Sequence, residues 1–325
     1  MEQKYDVVSL GESLIDFAES GVTGQGNPLY EACPGGAPLN VMAMLDRLGH
    51  KTAYISKVGD DAFGTLLMDT LKDMGTDTGN MMVDAKVHTT LSFLHTLPDG
   101  DRAFSFYRHP GADIMLTEEE VDYERIRNAK VFHIGTLSMT DEPVRTATKK
   151  SLSAAKEAGC LISFDPNLRE GLWASLAEAK AQMDYVFPYC DLLKIADNEI
   201  QFVSGKKDYD EGIRYLQEKY HIPLIFLTLG KDGSRAYTEE YRVTCPGFSV
   251  NSIEATGAGD CFCGCMIHQV LQKGGKGLTE ADLKEMLFFG NAAAALVTTK
   301  KGAARAMPTE NEIFALLKEH KERVT

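Results

Sequence analysis

The sequence predicts an α/β fold, with a mostly parallel sheet carrying helices on both faces. Short β-branched or apolar runs alternate with helical stretches along most of the chain. Several of the helical stretches are closed by glycine, as helix C-termini commonly are. The rhythm breaks at one place, where two strand-like runs flank a turn and read as a hairpin.

Residues 7–10, 53–58, 131–134, 161–164, 192–195 and 224–229 read as strands. Residues 39–48 before Gly49, 62–74 before Gly75 and 143–158 before Gly159 read as amphipathic helices. The alanine-rich residues 291–299 read as another helix, and Thr309-Glu310-Asn311-Glu312 has the capping-box pattern that opens a last one. The hairpin consists of residues 90–97 and 102–108 around Pro98-Asp99-Gly100-Asp101. In its second strand Phe104, Phe106 and Arg108 share a face at period two. The two phenylalanines are either core residues or, with the arginine beside them, part of a surface that faces a ligand.

The 325 residues hold 44% hydrophobic and 25% charged side chains, enough to bury a large core. Nothing near the N-terminus has the basic-then-apolar order of an export signal, and no apolar run has the length of a membrane span, so a cytoplasmic protein is expected. A net charge of −13 disfavours a broad nucleic-acid-binding surface but leaves room for a local nucleotide pocket. Seven scattered cysteines match reduced thiols rather than a disulfide framework. On a helix Cys261 and Cys265 share a face while Cys263 does not, so these three sulfurs do not converge on one metal ion.

The segment Glu254-Ala255-Thr256-Gly257-Ala258-Gly259-Asp260 precedes an apolar helical stretch. Small residues let a ligand approach the backbone, and a helix starting there aims free N–H groups and its positive dipole end at an anion. Asp260 either stabilises that dipole or accepts a proton from an attacking hydroxyl. No G-x-x-x-x-G-K-[ST] segment occurs, so the phosphate cradle is not a P-loop. The glycine-rich residues 21–26 lack the strand–turn–helix context of a dinucleotide site.

Thr256 to Asp260 with the following helix resembles the C-terminal signature of the ribokinase-like (PfkB) carbohydrate kinases. Gly35-Gly36-Ala37-Pro38-Leu39-Asn40, ending at Leu48-Gly49, resembles their N-terminal signature. Thr228-Leu229-Gly230-Lys231-Asp232-Gly233 is similar to the nucleotide-contacting turn of that family. Gly11-Glu12-Ser13-Leu14-Ile15-Asp16-Phe17, Phe106-Tyr107-Arg108 with Gly111-Ala112-Asp113, and Phe164-Asp165-Pro166-Asn167-Leu168-Arg169 resemble its fructokinase branch. These pieces run nearly end to end in the family's order.

The resemblance implies a three-layer ribokinase-like fold formed by residues 1–325 as one domain, with β-lid segments near 13–33 and 88–112. It implies Asp260 as catalytic base and the N–H groups of Gly257, Ala258 and Gly259 as an anion hole. Asp16, Gly35, Gly36, Asn40, Phe104, Arg108 and Arg169 would meet the sugar, although Asp16 could instead cap a turn. Thr228, Gly230, Gly233 and Asn291 would line ATP, and Lys194 would either reach phosphate or lie solvated. Glu199 stands at the family's magnesium-linked glutamate, with Ala196 where an asparagine is usual. Glu254 stands where relatives that bind potassium use an aspartate, with Thr256 offering its carbonyl.

The expected ligands are therefore ATP, Mg2+, K+ and a small sugar, with no nucleic acid and no membrane, and a homodimer through the lid. Fructose is the expected acceptor. A 2-keto-3-deoxygluconate or nucleoside kinase and a catalytically silent sugar- or nucleotide-binding regulator are the alternatives. Asp16 favours neutral polyols, whereas Arg108 and Arg169 could each pair the carboxylate of a sugar acid.

Overall fold

A computed structural model describes residues 4–96 and 102–324. The turn expected at residues 98–101 lies outside the described residues. The strands are β1 (Tyr5–Leu10), β2 (Leu14–Val22), β3 (Pro28–Gly35), β4 (Thr52–Gly59), β5 (Asp77–Asp84), β6 (Thr90–Thr96), β7 (Arg102–Tyr107), β8 (Ala129–Gly135), β9 (Leu161–Asp165), β10 (Leu192–Ala196), β11 (Leu224–Thr228), β12 (Ser234–Tyr237) and β13 (Arg242–Cys245).

Among the described residues these strands form two sheets. The larger has the order β13-β12-β11-β10-β9-β8-β1-β4-β5 and is parallel from β5 to β11, with the antiparallel β12 and β13 at one edge. The six strands expected from sequence are the consecutive run from β11 to β4. Parallel strands covered on both faces must be apolar nearly throughout, which makes them conspicuous in a sequence. In β1, Val7 enters one core while Val8 and Leu10 enter the other. Each fully buried aliphatic side chain of this kind contributes about 1.5–3 kcal/mol.

The first core lies under the helices Ala37–Arg47, Ala258–Lys273 and Glu280–Val297. The second lies under Val144–Glu157, Leu176–Val186, Asp197–Ser204 and Tyr209–Tyr220. The helix expected over 62–74 runs Ala62–Met74, with Asp61 accepting from the Phe63 and Gly64 N–H groups and Gly75 left-handed at its end. The alanine-rich segment is the second half of Glu280–Val297, opened by a box in which Thr279 and Asp282 cap each other's backbone. Cys261, Cys263 and Cys265 are buried free thiols on the helix Ala258–Lys273.

The smaller sheet has the order β3-β2-β6-β7, and β2 pairs β6 in parallel. It joins the segment after Gly11 to the expected hairpin and covers one end of the larger sheet as a lid. Its root is fastened by Asp113, which accepts from the Thr90 hydroxyl at 2.5 Å and from the Arg108 guanidinium at 2.6 Å and 2.8 Å. Arg108 also donates to the Thr140 hydroxyl and the Leu137 carbonyl, tying the end of β7 to the loop after β8. No helix among the described residues is long and apolar enough to cross a membrane.

Candidate active site

The C-terminal ends of β1, β8, β9 and β10 face the inner side of the lid across a cavity of 280 Å³. Open α/β sheets place ligands at this end, where the loops diverge. The floor comes from two helix N-termini that point into the cavity, one contributing Gly36 and Asn40 and the other Gly257, Gly259 and Asp260. The lid contributes Asp16 from β2 with Phe104 and Phe106 from β7.

Gly257 is left-handed at φ 81° and directly precedes the helix Ala258–Lys273, so a side chain there would be strained. Asp260 is the third residue of this helix and is 8% exposed. Burial raises its pKa, while the Asn40 hydrogen bond, Lys194 and Arg169 pull it back. Asn40 Nδ2 donates to Asp260 Oδ2 at 2.8 Å, joining residues 220 apart in sequence. Its Oδ1 is buried without a partner among the described residues. Asn40 therefore holds the aspartate with one end of its amide and turns an unpaired acceptor to the cavity with the other.

Asp16 is half-buried, and burial pushes its carboxyl up to about 6 against the pull of Ser92 and Arg169. A Cβ at Gly35 would lie 2.6 Å from Asp16 Oδ2, so Gly35 makes room for this carboxylate rather than for the ligand itself. Arg169 lines the cavity with its guanidinium 5.7 Å from the centre of the Phe104 ring.

Lys194 is buried at the end of β10, with its ammonium 3.0 Å from Asp165 Oδ2. Burial alone would lower its pKa, but Asp165, Glu199 and Asp260 hold it above its ordinary value and keep it charged. Burial likewise pushes Asp165 up against the pull of Lys194. A Cβ on Gly259 would come within 3.0 Å of Lys194 Nζ, so the ammonium lies beside the helix N-terminus. The alternative of a solvated lysine does not hold.

Several expectations require correction. Arg108 is 2% exposed and spends its guanidinium on Asp113, Thr140 and Leu137, so it fastens the lid from behind the cavity wall and does not meet a sugar. The Ala258 N–H donates to the Ala255 carbonyl at 3.2 Å, and Ala258 does not line the cavity, whereas Ala255, Thr256, Gly257 and Gly259 do. Asn291 donates to the Cys245 and Pro246 carbonyls and accepts from the Ser234 hydroxyl, so its amide fixes the end of β13 instead of reaching a nucleotide. Thr228, Gly230 and Gly233 lie at the end of β11 and in the turn to β12, outside this cavity and one strand beyond Lys194.

Glu199 accepts from the Leu168 N–H at 2.7 Å and from the Ala196 N–H at 2.8 Å. It caps its own helix and pins the loop that carries Arg169, and it does not line the cavity. Among the described residues no three His, Cys, Asp or Glu side chains converge on a metal position. This donor set fits a hydrated magnesium ion carried by nucleotide phosphates, not a cage made by the protein. Glu254 is buried and Thr256 lines the cavity, a hard-oxygen pair beside the turn at Gly257.

Sequence reasoning missed Glu12, Asp165 and Asn167 as site residues. Glu12 and Asn167 line the cavity and Asp165 holds Lys194. All three stand inside quoted motifs, immediately after β1 or at the end of β9, and position at a strand's C-terminal end was the available signal.

A model of the pfkB family carbohydrate kinases matches residues 4–310. Fructokinase-2 of Solanum lycopersicum is 42% identical over 314 residues, covering 96% of this chain and 96% of that protein. A fructokinase structure from Xylella fastidiosa with bound ATP superposes with a TM-score of 0.85 at 27% identity, over 98% of this chain and 99% of that one. A fructokinase structure from Vibrio cholerae O395, bound to fructose, ADP and calcium, gives a TM-score of 0.85 at 29% identity, over 96% and 99%.

Replacing Lys194 by methionine removes the ammonium that lowers Asp165 and Asp260. Both carboxyls then hold protons that the unfolded chain releases above about pH 4, so native stability falls as pH rises. K194M should lose about 3–5 kcal/mol at about pH 8 and clearly less at about pH 5, read from urea denaturation at both. Equal losses at the two pH values would show that Lys194 does not set these ionisations.

Proposed function

The chain belongs to the pfkB family of carbohydrate kinases, and on that premise we propose that it transfers the terminal phosphoryl group of ATP to fructose, giving fructose 6-phosphate and ADP. Its fold is the ribokinase-like one expected from sequence. The observation that carries the choice of acceptor is the polarity of the cavity. Asp16, Asp260 and the unpaired Asn40 Oδ1 all offer acceptors, a match for the hydroxyls of a neutral polyol. With Arg108 withdrawn, Arg169 is the one expected sugar-contacting arginine that lines the cavity, and the Asp16 carboxylate lies on the same cavity wall system. Like charges about 4 Å apart cost roughly 4 kcal/mol near a protein surface, which disfavours an acidic sugar. The fructose-bound relative and the plant fructokinase support the same reading.

The reaction assigns each residue one task. The acceptor hydroxyl gives its proton to Asp260 as its oxygen attacks the terminal phosphorus in line. The new O–P bond forms as the bond to the ADP oxygen breaks, and ADP leaves with that electron pair. A carboxyl with a raised pKa is a better base near neutrality than an ordinary aspartate. The Gly257 and Gly259 N–H groups and the helix dipole receive charge on the transferring group, with Lys194 alongside. ATP would run from this turn toward Thr228, Gly230 and Gly233, with magnesium on its phosphates and potassium at Glu254 and Thr256. The lid would close over the sugar and exclude water, with residues 1–325 acting as one kinase domain.

Asp260→Asn should lower kcat by about 10²–10⁴-fold while fructose and ATP still bind, measured by coupled ADP release and calorimetry. Turnover within a factor of a few of wild type would remove Asp260 from the chemistry. Among fructose, ribose, aminoimidazole riboside, adenosine and 2-keto-3-deoxygluconate, fructose should give the highest kcat/KM, and Asp16→Asn should erode it. A preference for the keto acid would overturn the fructose assignment and leave the kinase standing. Rates should be higher in potassium than in tetramethylammonium at matched ionic strength, and equal rates would remove the ion from Glu254 and Thr256.

A further inference from the structure

Glu12 directly follows the turn out of β1 and is 3% exposed. Three contacts fix it. Its Oε1 accepts from the Ala37 N–H at 2.7 Å, the first N–H of the helix Ala37–Arg47, whose N-cap Gly36 offers no side chain. Its backbone carbonyl accepts from the Tyr54 hydroxyl at 2.6 Å. The same carbonyl lies 2.4 Å from where a Cβ of Gly36 would stand, and Gly36 has φ 117°.

One atom of this pinned carboxyl remains. Glu12 Oε2 is buried without a hydrogen-bond partner among the described residues, in a residue that lines the cavity. Burial pushes the Glu12 carboxyl up to about 7, and a buried carboxyl oxygen without a hydrogen-bond partner is costly unless a ligand supplies one. The capping bond explains Oε1 and the turn at Gly36, but it leaves Oε2 unexplained.

We propose that Glu12 is a further sugar-binding residue, whose Oε2 accepts a hydrogen bond from a hydroxyl of the acceptor other than the one phosphorylated. The inference rests on the fructose kinase reading above and adds a specificity contact to it. Asp16 stands on the lid strand β2, whereas Glu12 precedes that strand and is tied to the helix Ala37–Arg47 and to Tyr54 of β4. Its Oε1 bond to Ala37 orients Oε2 and couples sugar recognition to the turn that carries Asn40, the partner of Asp260.

The test compares wild type with Glu12→Gln, which keeps an acceptor for the Ala37 N–H and puts an amide donor in place of Oε2. Wild-type turnover of fructose is measured first, so a failure of the fructose reading shows before the variant is used. In that event the same comparison runs on whichever sugar is turned over. KM for the sugar should rise about 10- to 100-fold, as for loss of a hydrogen bond to a charged group, with kcat and the KM for ATP within about threefold. Among singly deoxygenated sugar analogues, one should give the same KM with both proteins, because its missing hydroxyl is the partner of Oε2. A purely structural Glu12 would raise KM by the same factor across all analogues and disturb ATP binding too, which would overturn the proposal. An unchanged sugar KM would also overturn it. Should Glu12→Gln fail to fold, the wild-type analogue series decides. Some deoxygenated position must then carry a 10- to 100-fold KM penalty that Asp16→Asn does not abolish, and its absence counts against Glu12.

Discussion

The site depends on keeping carboxylates close together in a place largely shielded from water. Asp260, Asp165 and Glu199 all act on Lys194, and that buried ammonium is the local counterweight to them. Acidic groups gathered without a cation would protonate or spread apart. Burial raises the Asp260 pKa, and the ammonium pulls it part of the way back. The helix N-terminus at Gly257 adds a second source of positive potential from backbone alone. Carboxylates, a buried ammonium and a helix N-terminus thus meet around one cavity at the edge of the sheet.

A second constraint comes from the lid. It is made from two stretches of chain that leave the main sheet and return, and Asp113 ties the root of β6 to the end of β7. The buried ion pair with Arg108 is held in a fixed geometry by further bonds to Thr140 and Leu137. Such a pair adds little net stability, yet removing one partner strands a charge and is strongly destabilising. Its contribution is a defined attachment of the lid, which sets where Asp16 and Phe104 stand over the floor.

The sequence made the central sheet legible and its margins much less so. The parallel strands from β11 to β4 read clearly because both faces are covered by helices and most positions are apolar. β2 runs from buried to exposed along its length, β5 mixes the two, and β12 and β13 have four residues each, so none shows a clean period. At the site, Asp260 stood out because a carboxylate after a glycine cluster, at a helix start suited to an anion, is chemically odd. Asp16 and Asn40 came from family likeness and lie in the cavity. Arg108 and Asn291 were misjudged, and the capping bonds of Glu199 went unseen, because a sequence displays a residue's type and conceals its partners. Those partners are Asp113, the Leu168 and Ala196 N–H groups, and the Cys245 carbonyl. Glu12 escaped notice because its meaning lies in a contact with Ala37, 25 residues onward.

The hydrogen bond from Asn40 to Asp260 closes a loop of 220 residues, and the cavity wall includes Glu12 near one end of the chain and Gly257 near the other. Contacts of such high sequence separation form late, because chain entropy must be surrendered before they are rewarded. During synthesis the ribosome releases the segment with Glu12, Asp16 and Asn40 long before Asp260 emerges. The nascent chain can therefore build much of its parallel sheet before this cavity is complete. With Asp260 as the proposed base, catalytic competence arrives with the last third of the polypeptide, and partly folded chains cannot spend nucleotide.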